Sequence, residues 1–293
     1  MRILLIGANG QLGSDLVKLL TREGEQLVPL THADLEVTDP GQVQAVLTHH
    51  RPDVVINTSA FHQVDLCELQ WERAFCVNCY APRLLALACR DHNAALVHLS
   101  TDYVFGGDAA RSSPYLETDC PAPINVYGLS KLAGEGFIRY LWPRHFIVRT
   151  SGLYGLAGSS GKGGNFVEGR LKQAGEGRPI RMVADQVLTP TYTVDLARAI
   201  RRLIGTEHHG LYHITSAGQC SWYEFTAKIL ELAGLTAELI PQTTTQSGAV
   251  ARRPAYSVLE NAALKAVGLD DMRPWPEALA AYLYARQEKL SGR

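Results

Sequence analysis

Along the first half of the chain, short and continuously apolar runs alternate with longer segments of amphipathic character. The runs are "RILLIG" (2–7), "QLVPL" (26–30), "DVVIN" (53–57), "ALVHLS" (95–100) and "HFIVRT" (145–150). They read as strands, and their lack of polar alternation predicts burial on both faces. "QLGSDLVKLLTREG" (11–24) and "WERAFCVNCYAPRLLALACRD" (71–91) lie between them and read as helices. This alternation predicts an α/β fold, a doubly wound, Rossmann-like parallel sheet with helices on both sides. After Thr150 the rhythm changes. A glycine-rich loop, "YGLAGSSGKGGNF" (154–166), precedes a helix running through Ala174 and a short strand at "PIRMV" (179–183). "TVDLARAIRRLI" (193–204) reads as another sheet-covering helix and "GLYHIT" (210–215) as another strand. The remainder, punctuated by prolines 241, 254, 274 and 276, reads as a smaller mixed lobe.

Composition narrows the partners. The chain has 293 residues, 46% of them hydrophobic, enough for a substantial core, and 28 Lys and Arg nearly balance 29 Asp and Glu. Such a balance offers no electrostatic footprint for nucleic acid or for an anionic membrane, and points to small-molecule ligands. No apolar run approaches the length of a membrane span or of a signal-peptide core, so the expected location is cytoplasmic. Six cysteines lack the paired spacing of a zinc site, and the one C-x-x-C, Cys76 to Cys79, falls inside the 71–91 helix, where a redox or metal role is not expected.

Candidate chemistry begins at "GANGQLG" (7–13), which follows the first strand and opens the first helix. Gly7, Gly10 and Gly13 permit a tight turn and close approach of a pyrophosphate, whose charge is met by amide groups at the helix start. Asn9, Gln11 and Leu12 complete this candidate cofactor loop. The loop at 155–164 is not a phosphate loop of the G-x-x-x-x-G-K-[ST] type, because Leu156 and Gly163 break the pattern, and it reads instead as a mobile substrate lid. The choice between NAD and NADP is normally made where the second strand ends, here "PLTHADLEVTD" (29–39). No acidic residue directly follows that strand to hold a ribose hydroxyl, and no arginine stands ready for a 2′-phosphate. Thr31 and His32 are the nearest polar groups, with Glu36 and Val37 placed nearer the adenine. NADPH is the expected cofactor because the chemistry below is reductive, with NADH as the alternative.

Three segments follow successive strands at the end of the sheet where such folds bind ligands: "NTSAF" (57–61), "STDYVFGG" (100–107) and "RTSGLYG" (149–155). In "NVYGLSKLAGE" (125–135), Tyr127 and Lys131 stand one helical turn apart. A cation beside a phenol lowers its pKa, as a proton donor requires.

These motifs, with "RPDVVIN" (51–57), "VDLCE" (64–68), "GNF" (164–166), "DQVLTPTYTVDLA" (185–197) and "RRPAYSVL" (252–259), resemble the dTDP-4-dehydrorhamnose reductase family of extended short-chain dehydrogenases/reductases nearly end to end. The resemblance implies hydride transfer from a nicotinamide to C4 of a dTDP-linked 4-keto-6-deoxy sugar, with Tyr127 protonating the oxygen, Thr101 hydrogen-bonding it, and Lys131 lowering the phenol's pKa and holding the ribose. It further implies cofactor contacts at Ser59, Ala60 and Phe61, and substrate contacts at Thr101, Asp102, Tyr103, Gly152 and Asn165. Arg253, and the loop at 155–164, are expected at the substrate's nucleotide end, where a forked guanidinium suits a diphosphate. The dinucleotide-binding domain is expected over 1–150, with returning segments near 185–217, and the substrate-binding lobe over 151–184 and 218–293. Where sugar-nucleotide dehydratases carry a glutamate after the Thr-Asp pair, this chain has Tyr103, which argues against dehydration. Two departures bear on the sugar: Gly152 stands where many relatives have tryptophan, which predicts an open wall covered instead by Tyr154 or Phe61, and Phe61–His62 alter the loop after the third strand. Some relatives bind Mg²⁺ at a dimer contact. Asp15 matches one such ligand without a full set, so no metal site is expected and a homodimer is left open. Another sugar-nucleotide reductase or epimerase, or a non-catalytic dinucleotide-binding subunit like the β subunit of methionine adenosyltransferase, are the competing readings.

Overall fold

The computed structural model describes residues 1–158 and 164–291. Its strands are β1 (Arg2–Ile6), β2 (Gln26–Leu30), β3 (Val54–Asn57), β4 (Ala95–Thr101), β5 (His145–Thr150), β6 (Leu153–Tyr154), β7 (Ile180–Val183), β8 (Val187–Leu188), β9 (Thr191–Tyr192), β10 (Gly210–His213), β11 (Cys220–Ser221) and β12 (Leu239–Gln242). The helices are α1 (Gln11–Arg22), α2 (Pro40–His50), α3 (Val64–Leu69), α4 (Trp71–Phe75), α5 (Ala81–Asp91), α6 (Val126–Leu141), α7 (Phe166–Gly175), α8 (Thr193–Leu203), α9 (Trp222–Ala233), α10 (Ala262–Ala266) and α11 (Trp275–Leu290).

Six of the strands pair in parallel in the order β2–β1–β3–β4–β5–β10. β3, β4 and β5 are buried along their whole length, as their uninterrupted apolar runs require. Leucines 12, 16, 19 and 20 of α1 and Leu196, Ile200 and Leu203 of α8 cover one face, and Val43, Leu47, Leu85 and Ile138 from α2, α5 and α6 cover the other. The strand order reverses between β1 and β3, so a crevice opens beyond their carboxyl ends, the place where such sheets bind ligands. The doubly wound expectation holds.

Two local differences have physical causes. The helix expected over 71–91 is interrupted by a π turn, Cys76–Tyr80, between α4 and α5. Its Asn78 is fully buried, donating to Phe61 O at 2.9 Å and Ser130 Oγ at 3.1 Å and accepting from Phe61 N at 2.9 Å. The extra residue thus anchors the loop after β3, a typical use of a π turn. Helix α2, which the apolar pattern did not announce, starts on Asp39, whose carboxylate accepts from Gly41 N at 2.8 Å and Gln42 N at 3.1 Å, with Pro40 beginning the helix.

Beyond the sheet, Tyr154, Val167, Tyr192, Phe225, Ile229 and Tyr282 form a separate aromatic core. The segment 254–259 packs on the stretch after β4 through Val104, Phe105, Tyr115, Tyr256 and Val258, closing that part of the chain over the sheet's carboxyl end.

Candidate active site

The glycine loop turns sharply after β1. Gly7 and Ala8 both donate to Leu30 O, at 2.9 and 3.0 Å, and Gly10 N donates to Gly7 O at 3.0 Å. A Cβ on Gly13 would lie 2.1 Å from Gly7 O, so only glycine lets α1 approach the turn this closely. Gly10 caps α1 without a side-chain hydrogen bond, and the first turn contains no acidic residue. The amide donors at this helix start therefore suit an incoming anion, and the cradle fits a dinucleotide pyrophosphate. Asn9 is exposed at the rim and Leu12 is buried under it. The Gln11 side chain accepts from Gly155 N at 3.1 Å, which ties the cofactor loop to the chain leaving β6.

Thr31 donates its N–H and hydroxyl to Asp34 Oδ2, at 2.8 and 2.7 Å. Glu36 is turned to Thr38, accepting from its amide at 3.0 Å and its hydroxyl at 2.7 Å, which holds this carboxyl below its usual range. Val37 is buried in the core beneath α2. Ser59 donates its amide and hydroxyl to Asn57 Oδ1, at 3.0 and 2.6 Å, while Ala60 and Phe61 are half-buried beside it.

Thr101, Asp102, Tyr103, Tyr127 and Lys131 come together where β4 ends against α6. The start of α6 is fixed by Asn125, whose Oδ1 accepts from Gly128 N at 2.8 Å. Tyr103 and Tyr127 meet edge to face at 6.0 Å between ring centres. Tyr127 is raised above the ordinary phenol range by burial, with a hydrogen bond to Thr101 acting in the other direction. Lys131 does not do what its helical spacing suggested: its Nζ lies 3.1 Å from His98 Nε2, and burial lowers it to about 8. One helical turn makes the two residues neighbours, but the lysine stem, 1% exposed, runs under the helix toward β4. In this structure burial dominates the phenol, and the expected lowering by Lys131 is not seen.

Several residues expected at the substrate are used by the protein itself. Asp102 is buried and accepts from Thr101 Oγ1 at 3.0 Å, Ser151 Oγ at 2.8 Å and Ser257 Oγ at 2.6 Å; desolvation nevertheless raises it to about 6. Asn165 caps α7, accepting from Glu168 N at 2.9 Å, and donates to Gly155 O at 2.7 Å and Tyr282 Oη at 2.9 Å. Arg253 is bound to Asp65 Oδ2 at 2.9 Å and to Ala251 O at 3.2 Å. Gly152 has φ +55, and a Cβ there would lie 3.0 Å from both Leu188 Cδ1 and Pro190 Cα, so this glycine answers a backbone need. Tyr154, expected to replace the missing indole, is fully buried against Tyr192 and Tyr282, whereas Phe61 stays half-buried under the Arg73 guanidinium at 4.9 Å. Asp15 is engaged by Thr193 Oγ1 at 2.6 Å and Lys18 at 3.5 Å. Among the described residues no cluster of His, Cys, Asp or Glu is placed to hold a metal ion, and no helix is long and apolar enough to cross a membrane. Of the loop at 155–164, residues 159–163 lie outside the described residues.

The RmlD substrate binding domain family matches residues 1–288. The chain belongs to this family. It is 40% identical over 285 residues to the spore coat polysaccharide biosynthesis protein SpsK of Bacillus subtilis, covering 97% of this chain and 98% of that protein. It is also 40% identical over 284 residues to a dTDP-4-keto-6-deoxy-D-glucose reductase of Streptomyces niveus, covering 95% of each. Among solved structures, dTDP-4-dehydrorhamnose reductase of Bacillus anthracis in complex with NADP superposes with a TM-score of 0.92 at 40% identity, covering 97% of this chain and 99% of that one.

In this member of the RmlD family, a buried polar frame surrounds the site that residue types alone did not reveal. Glu135 binds Arg149 at 2.7 Å and accepts from Ser100 Oγ, all three buried between α6, β4 and β5. Arg149 also lies over the Phe105 ring at 5.2 Å and near His213 Nε2 at 3.5 Å. Asn57 and His98 are register partners on β3 and β4, bonded at 3.1 Å. The histidine inside the apolar run "ALVHLS" and the arginine in "HFIVRT" were the available signals, since polar groups buried in a central strand must find partners. Asn78 had none, because a π turn has no clear mark in sequence.

Proposed function

We propose that this chain reduces the C4 keto group of a dTDP-linked 4-keto-6-deoxy sugar with NADPH, converting dTDP-4-dehydro-rhamnose to dTDP-rhamnose. The observation carrying this reading is the meeting of Thr101, Tyr127 and Lys131 at the end of β4, on the carboxyl side of the sheet that also presents the uncapped glycine turn of α1. The glycine loop and the chain after β3 would hold the dinucleotide, whose nicotinamide when bound supplies a hydride.

The protein's own groups account for the proton. A phenol raised by burial stays protonated at neutral pH, so Tyr127 is a loaded acid facing the carbonyl oxygen. The same burial makes its phenolate costly, and a charged Lys131 offsets that cost as the proton leaves. The Thr101 hydroxyl is donated to Asp102 in this structure, so the substrate oxygen must compete with that carboxylate for it. Tyr103 lines the same space edge-on to Tyr127 and supplies no carboxylate to act as the base for elimination. On this reading the dinucleotide is held mainly by 1–150 and 185–217 and the sugar nucleotide by 151–184 and 218–293, with Arg253 leaving Asp65 for the diphosphate.

Oxidation of NADPH and of NADH, followed at the nicotinamide absorbance with a panel of nucleotide-linked 4-keto sugars, tests the proposal. Turnover confined to dTDP-linked 4-keto-6-deoxy sugars is expected. Tight NADPH binding without reduction of any of them would favour the regulatory-subunit reading.

A further inference from the structure

The Lys131 nitrogen is reached from the sheet by an ordered chain of hydrogen bonds whose polarity can be read from its far end. Ser59 donates its backbone N–H to Asn57 Oδ1 at 3.0 Å. A backbone amide cannot accept, so the atom facing it is the carbonyl oxygen, and the Asn57 NH₂ group must face the other way. That NH₂ group lies 3.1 Å from His98 Nδ1, which must therefore accept. Burial holds His98 far below its ordinary pKa, so it is neutral and carries one ring proton. With Nδ1 accepting, that proton sits on Nε2. Nε2 is 3.1 Å from Lys131 Nζ, and an N–H aimed there finds a lone pair only if the lysine is an uncharged amine.

We propose that His98 is a positioning residue that holds Lys131 as the neutral amine in the cofactor-free protein, so that cofactor binding is accompanied by uptake of a proton onto Lys131. The proposal rests on the dinucleotide-dependent reading above. Other titratable groups on and around α6 leave this arrangement in place. Glu135, one turn along, is taken up by Arg149 on β5 and Ser100 on β4. Asp102 and Tyr103 belong to the turn after β4, with Asp102 occupied by three hydroxyls. Tyr127 is neutral, Glu68 of α3 accepts from Val126 N at the start of α6 at 2.9 Å, Arg83 of α5 lies over the Phe137 ring on the outer part of α6, and Cys67 on α3 and Cys79 on the π turn also lie near the helix. Burial lowers Lys131 to about 8 against the opposing charge of Glu135, so the neutral amine prevails in the free protein above that pH. A bound dinucleotide brings negative charge and hydroxyl acceptors to the site, both of which favour the ammonium. The charge that stabilises the phenolate of Tyr127 is then present only when the hydride donor is in place.

Two measurements test this without any sugar substrate. Long-range nitrogen correlation spectra of the free protein labelled with ¹⁵N-histidine should show His98 protonated at Nε2, its signals assigned by their loss in His98→Gln; protonation at Nδ1 would overturn the proposal. Calorimetric titration with NADPH, in buffers of different ionisation heat just above the Lys131 value of about 8, should show proton uptake. In His98→Gln a carbonyl oxygen accepts from the ammonium, and in Asn57→Asp a carboxylate takes the His98 Nδ1 proton and leaves Nε2 as an acceptor. Both variants should charge Lys131 beforehand and cut the uptake by roughly half or more. No uptake by the parent, or the same uptake in whichever variants fold, would refute it. Since the tautomer is read in the free protein, it decides the proposal even if no keto sugar is reduced.

Discussion

Tyr127 and Asp102 lie close together, and burial acts on each with a different consequence. For the phenol, loss of solvation keeps the proton on, and removal of the hydroxyl takes away that transferable proton and nothing else. Tyr127→Phe should keep NADPH affinity, read by fluorescence titration, while lowering turnover by about 10²–10⁴-fold; turnover at the parent rate would show that another group is the acid. For the carboxylate, burial raises the folded-state pKa from 3.8 to about 6 despite three hydroxyl donors. Between those values the folded protein keeps a proton that the unfolded chain has released, so stability falls as pH rises through this window. A shift of that size corresponds to on the order of 3 kcal/mol. Asp102→Asn, whose amide oxygen can still accept from Ser151 and Ser257, should therefore flatten the fall in urea-unfolding stability between pH 3.8 and about 6. An unchanged pH profile would mean that the carboxyl is better solvated than its burial implies.

At the scale of elements, the turn after β5 illustrates how one residue type can serve two explanations. Read by comparison with relatives that carry tryptophan, Gly152 suggested an open sugar wall. Its φ of +55 and its packing between Leu188 and Pro190 make it a requirement of the turn into β6. Gly152→Ala should lower stability by about 1–2 kcal/mol for the left-handed backbone alone, with more lost in Gly152→Trp, visible as a drop in Tm. Narrowed sugar selectivity in a tryptophan variant of parental Tm would restore the open-wall reading. The N-terminus of α7 shows the same economy: Asn165 is its cap, and Asn165→Ala should cost about 1 kcal/mol of stability, a loss that thermal unfolding of the variant would register. Strands and long helices announced themselves through periodicity, because burial on one or two faces leaves a repeat in the sequence. The π turn at 76–80 and the caps left weaker marks, since each depends on what one backbone group meets across the fold.

For the molecule as a whole, the question is how the chain after β12 is held over the sheet. Asp65 of α3 accepts from Ala251 N and Arg253, at 2.9 Å each, and Asn125 donates to Arg252 O at 2.9 Å, so 251–253 is stitched to the start of α6. If Arg253 also meets the substrate diphosphate, Arg253→Ala should raise KM for the sugar nucleotide by about 10–100-fold, the worth of a charged hydrogen bond, while Asp65→Asn, which frees the guanidinium, should not raise it. A loss of Tm in both variants with KM unmoved would make the arginine purely structural. What the sequence determined by itself was the parallel sheet and the glycine turn at its first strand, because hydrophobic periodicity and glycine spacing are local properties of the chain; the candidate trio Thr101, Tyr127 and Lys131 came from the resemblance of its motifs to a family. Only the tertiary structure decided where Lys131 points, what Asp102, Asn165 and Arg253 hold, and why Gly152 is a glycine. Those answers depend on partners distant in sequence, such as His98 for Lys131 and Ser257 for Asp102, and a buried polar group takes whichever partner the fold brings within hydrogen-bond reach.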